Sequence, residues 1–283
     1  PFAGVLVGLA LGGRLAERIA LLLLPAGLAM AIAIAADVWR SGRSVLYLVG
    51  GWSPPLGLAL RADGPAAAML VVSALVVCAA GLHARADFGT PRGQPETRAS
   101  LVFWMLLLSV WGALNLVFLG GDLFNLYVAL ELLTFGAVPL VALSGRPETL
   151  RAALRYLLFA LLGSVLYLLG TALLYGAHGT LDLVLLAERA RSEPVVLAAA
   201  VLMTVGLLAK TALFPLHLWL PPAHAGAPAA ASAVLSALVV KGSFFLLVRL
   251  WFDAFPGLLP VDAAQLLGAL GAAAILAGSV LAL

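Results

Sequence analysis

The sequence predicts an all-α protein, a polytopic bundle of transmembrane helices, and three observations carry that prediction. Of its 283 residues, 64% are hydrophobic and only 10% charged, where a soluble domain carries about 25% charge. Eight or nine stretches approach the roughly 20 apolar residues needed to cross a hydrocarbon layer. The apolar runs are continuous, not the short alternating pattern of outer-membrane strands, so little room is left for β-structure.

In chain order the apolar stretches are 1–13, 16–39, 64–85, 98–119, 121–143, 151–176, 194–220, 226–252 and 262–283. Breakers mark the connections: Ser41-Gly42-Arg43, Thr90-Pro91-Arg92-Gly93, Ser144-Gly145-Arg146-Pro147 and Ser192-Glu193-Pro194. No hydrophilic domain or low-complexity tail interrupts them, so the function is expected inside the bilayer. Pro1 stands at the start, and both ends fall in apolar runs; the chain reads as a fragment.

The net charge of +3 comes from arginines at segment ends, which is membrane topology and not a nucleic-acid surface. Arg14, Arg18, Arg85, Arg92, Arg98, Arg146, Arg151 and Arg155 fall in odd-numbered loops; Arg40, Arg43, Arg61, Arg189, Arg191 and Arg249 fall in even ones. The positive-inside rule then puts the odd loops in the cytoplasm of a cell inner (plasma) membrane. Cys78 is the single cysteine, so neither an internal disulfide nor a thiolate metal site can form.

Against that background three ionisable residues are out of place. Lys210 and Lys241 are the two lysines, both near the middle of apolar segments, and Glu131 is the one acid at the centre of such a segment. A charge at bilayer depth costs about 2.5–3.5 kcal/mol on insertion scales and marks an ion pathway by default. Burial disfavours the charged form of a group, and an opposite charge nearby restores it. A carboxylate that approaches and leaves a lysine is therefore a switch of proton affinity, and lysine suits the part because arginine stays protonated. The plainer reading is a static ion pair, with Lys241 satisfied by a backbone carbonyl or a hydroxyl near Ser236.

The stretch from Lys210 to His224 is broken by Pro215, Pro221 and Pro222. Pro215 has no N–H and crowds the carbonyl of Thr211, so the helix is expected to kink or unwind one turn beyond Lys210. Discontinuous helices are how transporters build ion sites at mid-membrane. His217 lies seven residues after Lys210, two helical turns along nearly the same face; it suits a proton relay or a structural hydrogen bond. His224 reads as an interfacial or helix-start residue, and His83 and His178 as loop residues. No metal-ligand spacing links the four histidines. Lys210-Thr211 is no phosphate loop, since Ala209 stands where glycine is needed. Nicotinamide, flavin and iron–sulfur motifs are absent, so no cofactor is expected.

The run Gly121-Asp122-Leu123-Phe124-Asn125-Leu126-Tyr127-Val128-Ala129-Leu130-Glu131 resembles the fifth helix of the antiporter-like subunits shared by respiratory complex I, membrane-bound hydrogenases and Mrp-type sodium/proton antiporters. Lys210 through Trp219-Leu220-Pro221, then Ala223-His224, Ala227-Pro228 and Ser232, resemble the seventh helix and the start of the eighth. Lys241 stands where that family has its eighth-helix lysine, and the likeness spans about residues 60–255. It implies a fold of about fourteen helices with two inverted five-helix repeats: N-terminal helices over 1–97, a complete first repeat over 98–252, and the truncated start of a second over 253–283. It further implies that Glu131 tunes Lys210, that Lys241 is the next proton station, and that His217 is their neighbour. The Gly121–Tyr127 run looks like the D subunit of Mrp antiporters, the Leu216–Pro221 run like complex I.

The functional expectation is a proton-translocating subunit of a hetero-oligomeric membrane complex, moving H+ alone or in exchange for Na+, with other membrane subunits and the lipid bilayer as partners and no nucleic acid. Two other classes stay open. One is a quinone-linked redox subunit of an NADH dehydrogenase, which would make the chain part of an enzyme. The other is a non-conducting scaffold, for which neutralising Lys241 would alter assembly but not ion flux.

Overall fold

The computed structural model describes residues 1–90, 96–258 and 261–281; Pro91-Arg92-Gly93 of the expected second connection lies outside them. Twelve α-helices are described: α1 (Phe2–Leu11), α2 (Gly13–Ser41), α3 (Gly64–Phe88), α4 (Arg98–Leu119), α5 (Leu123–Val141), α6 (Pro147–His178), α7 (Leu183–Arg189), α8 (Pro194–Thr211), α9 (Leu220–Gly226), α10 (Ala229–Val234), α11 (Val240–Arg249) and α12 (Val261–Leu281). A π-helical turn over Leu235–Val239 joins α10 to α11, and a second over Leu250–Ala254 follows α11. Counting α10 to Ala254 as one, eight helices are long and apolar enough to span a membrane. The chain is a multi-pass membrane protein.

Local chemistry sets the helix ends. Asp63, Thr97, Asp122 and Asp182 each accept a hydrogen bond from the first turn of the helix that follows, satisfying amides that have no partner inside the helix. Gly42 and Gly179 close α2 and α6 in the left-handed conformation, which costs glycine nothing. On α6, Leu150, Leu154, Leu158, Leu162, Val165 and Leu169 are all exposed, an apolar stripe at helical spacing that fits hydrocarbon. The interior is filled in part by α4, where Phe103, Trp104, Leu107, Leu108, Trp111 and Leu114 are buried.

The expectation of little β-structure meets one exception, a two-stranded hairpin between α2 and α3. Strand β1 (Val45–Leu48) pairs antiparallel with β2 (Ala59–Ala62), Val45 opposite Ala62. Its strands are four residues each, too short to register against the apolar runs around them. Beyond the hairpin, Leu60 bridges Gly120 and Asp122 bridges Asp182, while the Gly121 amide bonds the Ala59 carbonyl at 3.1 Å and the Leu183 amide bonds the Gly121 carbonyl at 2.9 Å. These short bridges lace the loops at one end of the bundle and fix where α5 begins.

The segment expected as one span over 194–220 is divided. Helix α8 stops at Thr211, Ala212 turns left-handed (φ 57, ψ 38), and the chain resumes as a helix only at Leu220. The break begins at Ala212, two residues after Lys210, and not a full turn beyond it. Pro215 withholds the N–H due to Thr211 and biases the residue before it away from helix, so the disruption propagates upstream.

Candidate functional site

Three helices converge on Lys210, and each is placed for a visible reason. Glu131 is carried by α5, whose start is pinned by Asp122 accepting the amides of Phe124 and Asn125 at 2.9 Å each; nine residues at 1.5 Å place Glu131 roughly 13 Å into the bundle. Helices α6 and α8 make the most extensive helix pair among the described residues, and glycines let their backbones approach. A Cβ on Gly206 would stand 2.4 Å from the Gly163 carbonyl oxygen, and one on Gly163 would stand 2.6 Å from that of Gly206 and 3.1 Å from Lys210 Cγ. Small residues at such crossings are what membrane helices use in place of a hydrophobic driving force.

At the junction Lys210, 6% exposed, donates from Nζ to Glu131 Oε1 at 3.3 Å and to Thr134 Oγ1 at 3.1 Å. The Thr134 hydroxyl itself donates a hydrogen bond to the Leu130 carbonyl at 2.9 Å. Ser164 on α6 donates to the same Glu131 Oε1 and also lies 3.0 Å from the Ala160 carbonyl. A small cavity of about 10 Å³, lined by Leu133, Thr134, Tyr156, Lys210, Val239 and Ser243, sits against the lysine and is at the threshold for one water molecule. The arrangement can hold a proton on an amine, present a carboxylate to stabilise it, and do so with little solvent.

The broken end of α8 is closed by aromatic side chains. Trp219 Nε1 donates to the Ala209 carbonyl at 3.0 Å, an oxygen that the Ala212 amide also reaches at 3.3 Å where the helix breaks, and the indole stacks on Tyr156 with ring centroids 4.3 Å apart. The carbonyl next to Lys210 is therefore satisfied by protein, as membrane depth demands.

Lys241 is placed differently from the sequence expectation of a buried Glu–Lys–Lys set. It is exposed on the side of this chain and donates from Nζ to the Ser236 carbonyl at 2.6 Å, across the π-helical turn that precedes it. Ser243, two positions on and about 200° round the helix, faces the Lys210 cavity. Lys241 instead lines a lateral groove of about 460 Å³ with Met69, Phe244, Val248 and Phe252. Among the described residues no hydrogen bond joins Lys241 to Lys210 or Glu131.

His217 lies in the unwound stretch, stacked on Phe214 at 5.4 Å, so the two-turn spacing from Lys210 does not apply. Its Nδ1 is buried and has no hydrogen-bond partner among the described residues. His224, read from sequence as an interfacial or helix-start residue, bonds Ser232 through Nδ1 at 3.0 Å. No group of three or more metal-ligating side chains occurs among the described residues.

Sequence reasoning gave no site role to Thr134, Ser164, Tyr156 or Trp219, the last named only within the run that carries the resemblance. Thr134 was findable, being three residues after Glu131 on the same helical face; the other three depend on contacts between distant helices. Nor did it reach the cluster at the hairpin end, where Arg249 bonds Asp63 at 2.7 Å and also Asp253. There burial pushes the Asp63 carboxyl up, but Arg249 and the Ala66 amide outweigh it and hold the group below the usual carboxylate range.

Comparison with known proteins adds to this geometry. A family model described as NADH:quinone oxidoreductase/Mrp antiporter, transmembrane, matches residues 120–283. NADH-quinone oxidoreductase subunit N of Desulforudis audaxviator is 38% identical over 259 residues, covering 89% of this chain and 50% of that protein. The D subunit of the Na(+)/H(+) antiporter of Bacillus subtilis is 33% identical over 219 residues, covering 76% of this chain and 43% of that one. A solved structure of the Mrp complex from Dietzia sp. superposes with a TM-score of 0.78 at 27% identity, over 90% of this chain and 48% of its own. The chain thus spans about half the length of the relatives it matches.

Proposed function

This chain belongs to the NADH:quinone oxidoreductase/Mrp antiporter transmembrane family, and from that premise we propose that it is an antiporter-like subunit that moves protons across the plasma membrane within a complex of several membrane subunits. The observation that carries the reading is the Glu131–Lys210 pair: an amine and a carboxylate 3.3 Å apart, enclosed by apolar helices, directly before a helix break.

The mechanism follows from that geometry. With Glu131 beside it, Lys210 holds a proton, because a nearby anion favours the charged amine in a medium that otherwise disfavours it. When Glu131 withdraws, the ammonium loses its compensation and releases its proton more readily. Lys241 is the next station, reached after rearrangement of α10–α11, whose π-helical turn next to Lys241 is of a kind often found at functional sites. His217 is a candidate neighbour on the unwound segment, and residues 98–252 are the conducting unit. The relatives are named both for cation/proton antiport and for NADH–quinone oxidoreduction, and proton movement through the Glu131–Lys210 pair accommodates both.

The test is Glu131→Gln in the assembled complex. Transport followed by a pH-sensitive dye in vesicles is expected to be abolished while assembly is retained. Transport at the wild-type rate in Glu131→Gln, and likewise in Lys210→Ala, defeats the mechanism.

A further inference from the structure

The pocket around Lys210 holds two hydroxyls, and they are not equivalent. Thr134 has its proton committed to the Leu130 carbonyl at 2.9 Å and turns its lone pairs to Lys210 Nζ at 3.1 Å. Ser164 has two acceptors within reach of its single proton: Glu131 Oε1 across the helix interface, and the Ala160 carbonyl one turn back on its own helix at 3.0 Å. One O–H serves one good linear bond at a time, so Ser164 has a choice that Thr134 lacks.

Glu131 decides that choice. An ionised carboxylate beside Lys210 outcompetes a peptide carbonyl, because bonds to a charged acceptor are roughly twice as strong as neutral ones. Once the carboxylate leaves, the Ala160 carbonyl remains, and the hydroxyl reaches it by rotation of one torsion. In either position the Ser164 hydroxyl, on a residue 2% exposed, stays bonded. Movement of Glu131 therefore strands no donor in a low dielectric, where an unmade bond is expensive. The backbone cannot follow the carboxylate, because the adjoining Gly163 is locked against Gly206.

Resting on the assignment of Glu131 and Lys210 above, we propose that Ser164 is a positioning residue, a two-position latch whose hydroxyl holds Glu131 against Lys210 in the closed pair and withdraws to the Ala160 carbonyl when the pair opens. The donor proton is the working part, not the volume of the side chain.

Substitutions graded in donor strength separate those two possibilities in the whole complex. Ser164→Cys keeps nearly the same volume with a weak donor, and Ser164→Ala removes the donor altogether. Ser164→Ala is expected to slow transport about tenfold, the loss that follows from one bond to a charged group, and Ser164→Cys to slow it measurably but less, with assembly unchanged in both. Infrared difference spectra, in which the Glu131 carboxyl band is identified by its absence in Glu131→Gln, are expected to show that band displaced in both. A Cys variant with wild-type transport and an impaired Ala variant would mean that size alone matters, and would overturn the latch. Wild-type transport in either variant, or an undisplaced carboxyl band, overturns it equally. If Glu131→Gln abolishes transport while both Ser164 variants behave as wild type, the latch alone fails; if Glu131→Gln transports normally, the reading of the pair fails with it.

Discussion

At the scale of single residues, the site works through the number of partners each buried charge keeps. Lys210 has two, Glu131 and Thr134, and only Glu131 carries charge. Replacing Thr134 with Val preserves shape but removes the neutral acceptor. We expect the purified complex to be destabilised by about 1–3 kcal/mol, read as a lower melting temperature, with transport reduced but not abolished. The two members of the ion pair could be picked out in the sequence because a polar residue in a long apolar run has no cheap explanation. Ser164 could not, because its meeting with Glu131 spans 33 residues and depends on how two helices cross. His217 was misplaced by assuming a continuous helix, and the direction of Lys241 was hidden by a π-helical turn that no local pattern announces.

Among elements, the decisive contact is the crossing of α6 and α8. Gly163 and Gly206 set the distance between the two backbones, and Lys210 stands one turn after Gly206 on the same helix. Gly206→Ala places a methyl 2.4 Å from the Gly163 oxygen and 3.0 Å from the Tyr167 amide, neither of which can yield as a side chain would. The helices must separate, at a cost of about 1–3 kcal/mol by the usual range for overpacking. Thermal unfolding in detergent should show the loss, and the Glu131–Lys210 geometry should loosen with it. The spans themselves were legible from hydropathy to within a few residues, and the proline-broken segment was legible as a break. What escaped was short structure whose stability comes from tertiary partners: the β1–β2 hairpin, the seven-residue α7 and the bridges at Gly120–Asp122.

For the molecule as a whole, one polar cluster ties distant parts together. Arg249 at the end of α11 holds Asp63 at the start of α3, 186 residues away in sequence. Because Asp63 sits below its ordinary range, in spite of burial and through its bonds to Arg249, its contribution to stability is complete above the unfolded-state value of about pH 4. It is lost as pH falls through the lower folded value. Asp63→Asn should therefore melt below wild type at neutral pH, and the gap should close on acidification below about pH 4; a gap that widens in acid would contradict the assignment. The cluster closes the hairpin end of the bundle and stands apart from the Glu131–Lys210 pair. Whether that pair is a brace or a switch turns on proton release, and Lys210→Arg separates the two: arginine keeps the positive charge and can bond Glu131, but it does not give up its proton. Measured in the reconstituted complex, Lys210→Arg is expected to assemble normally and to transport no protons. Transport at the wild-type rate with arginine in place would show that a fixed charge suffices, and that the pair is only a brace.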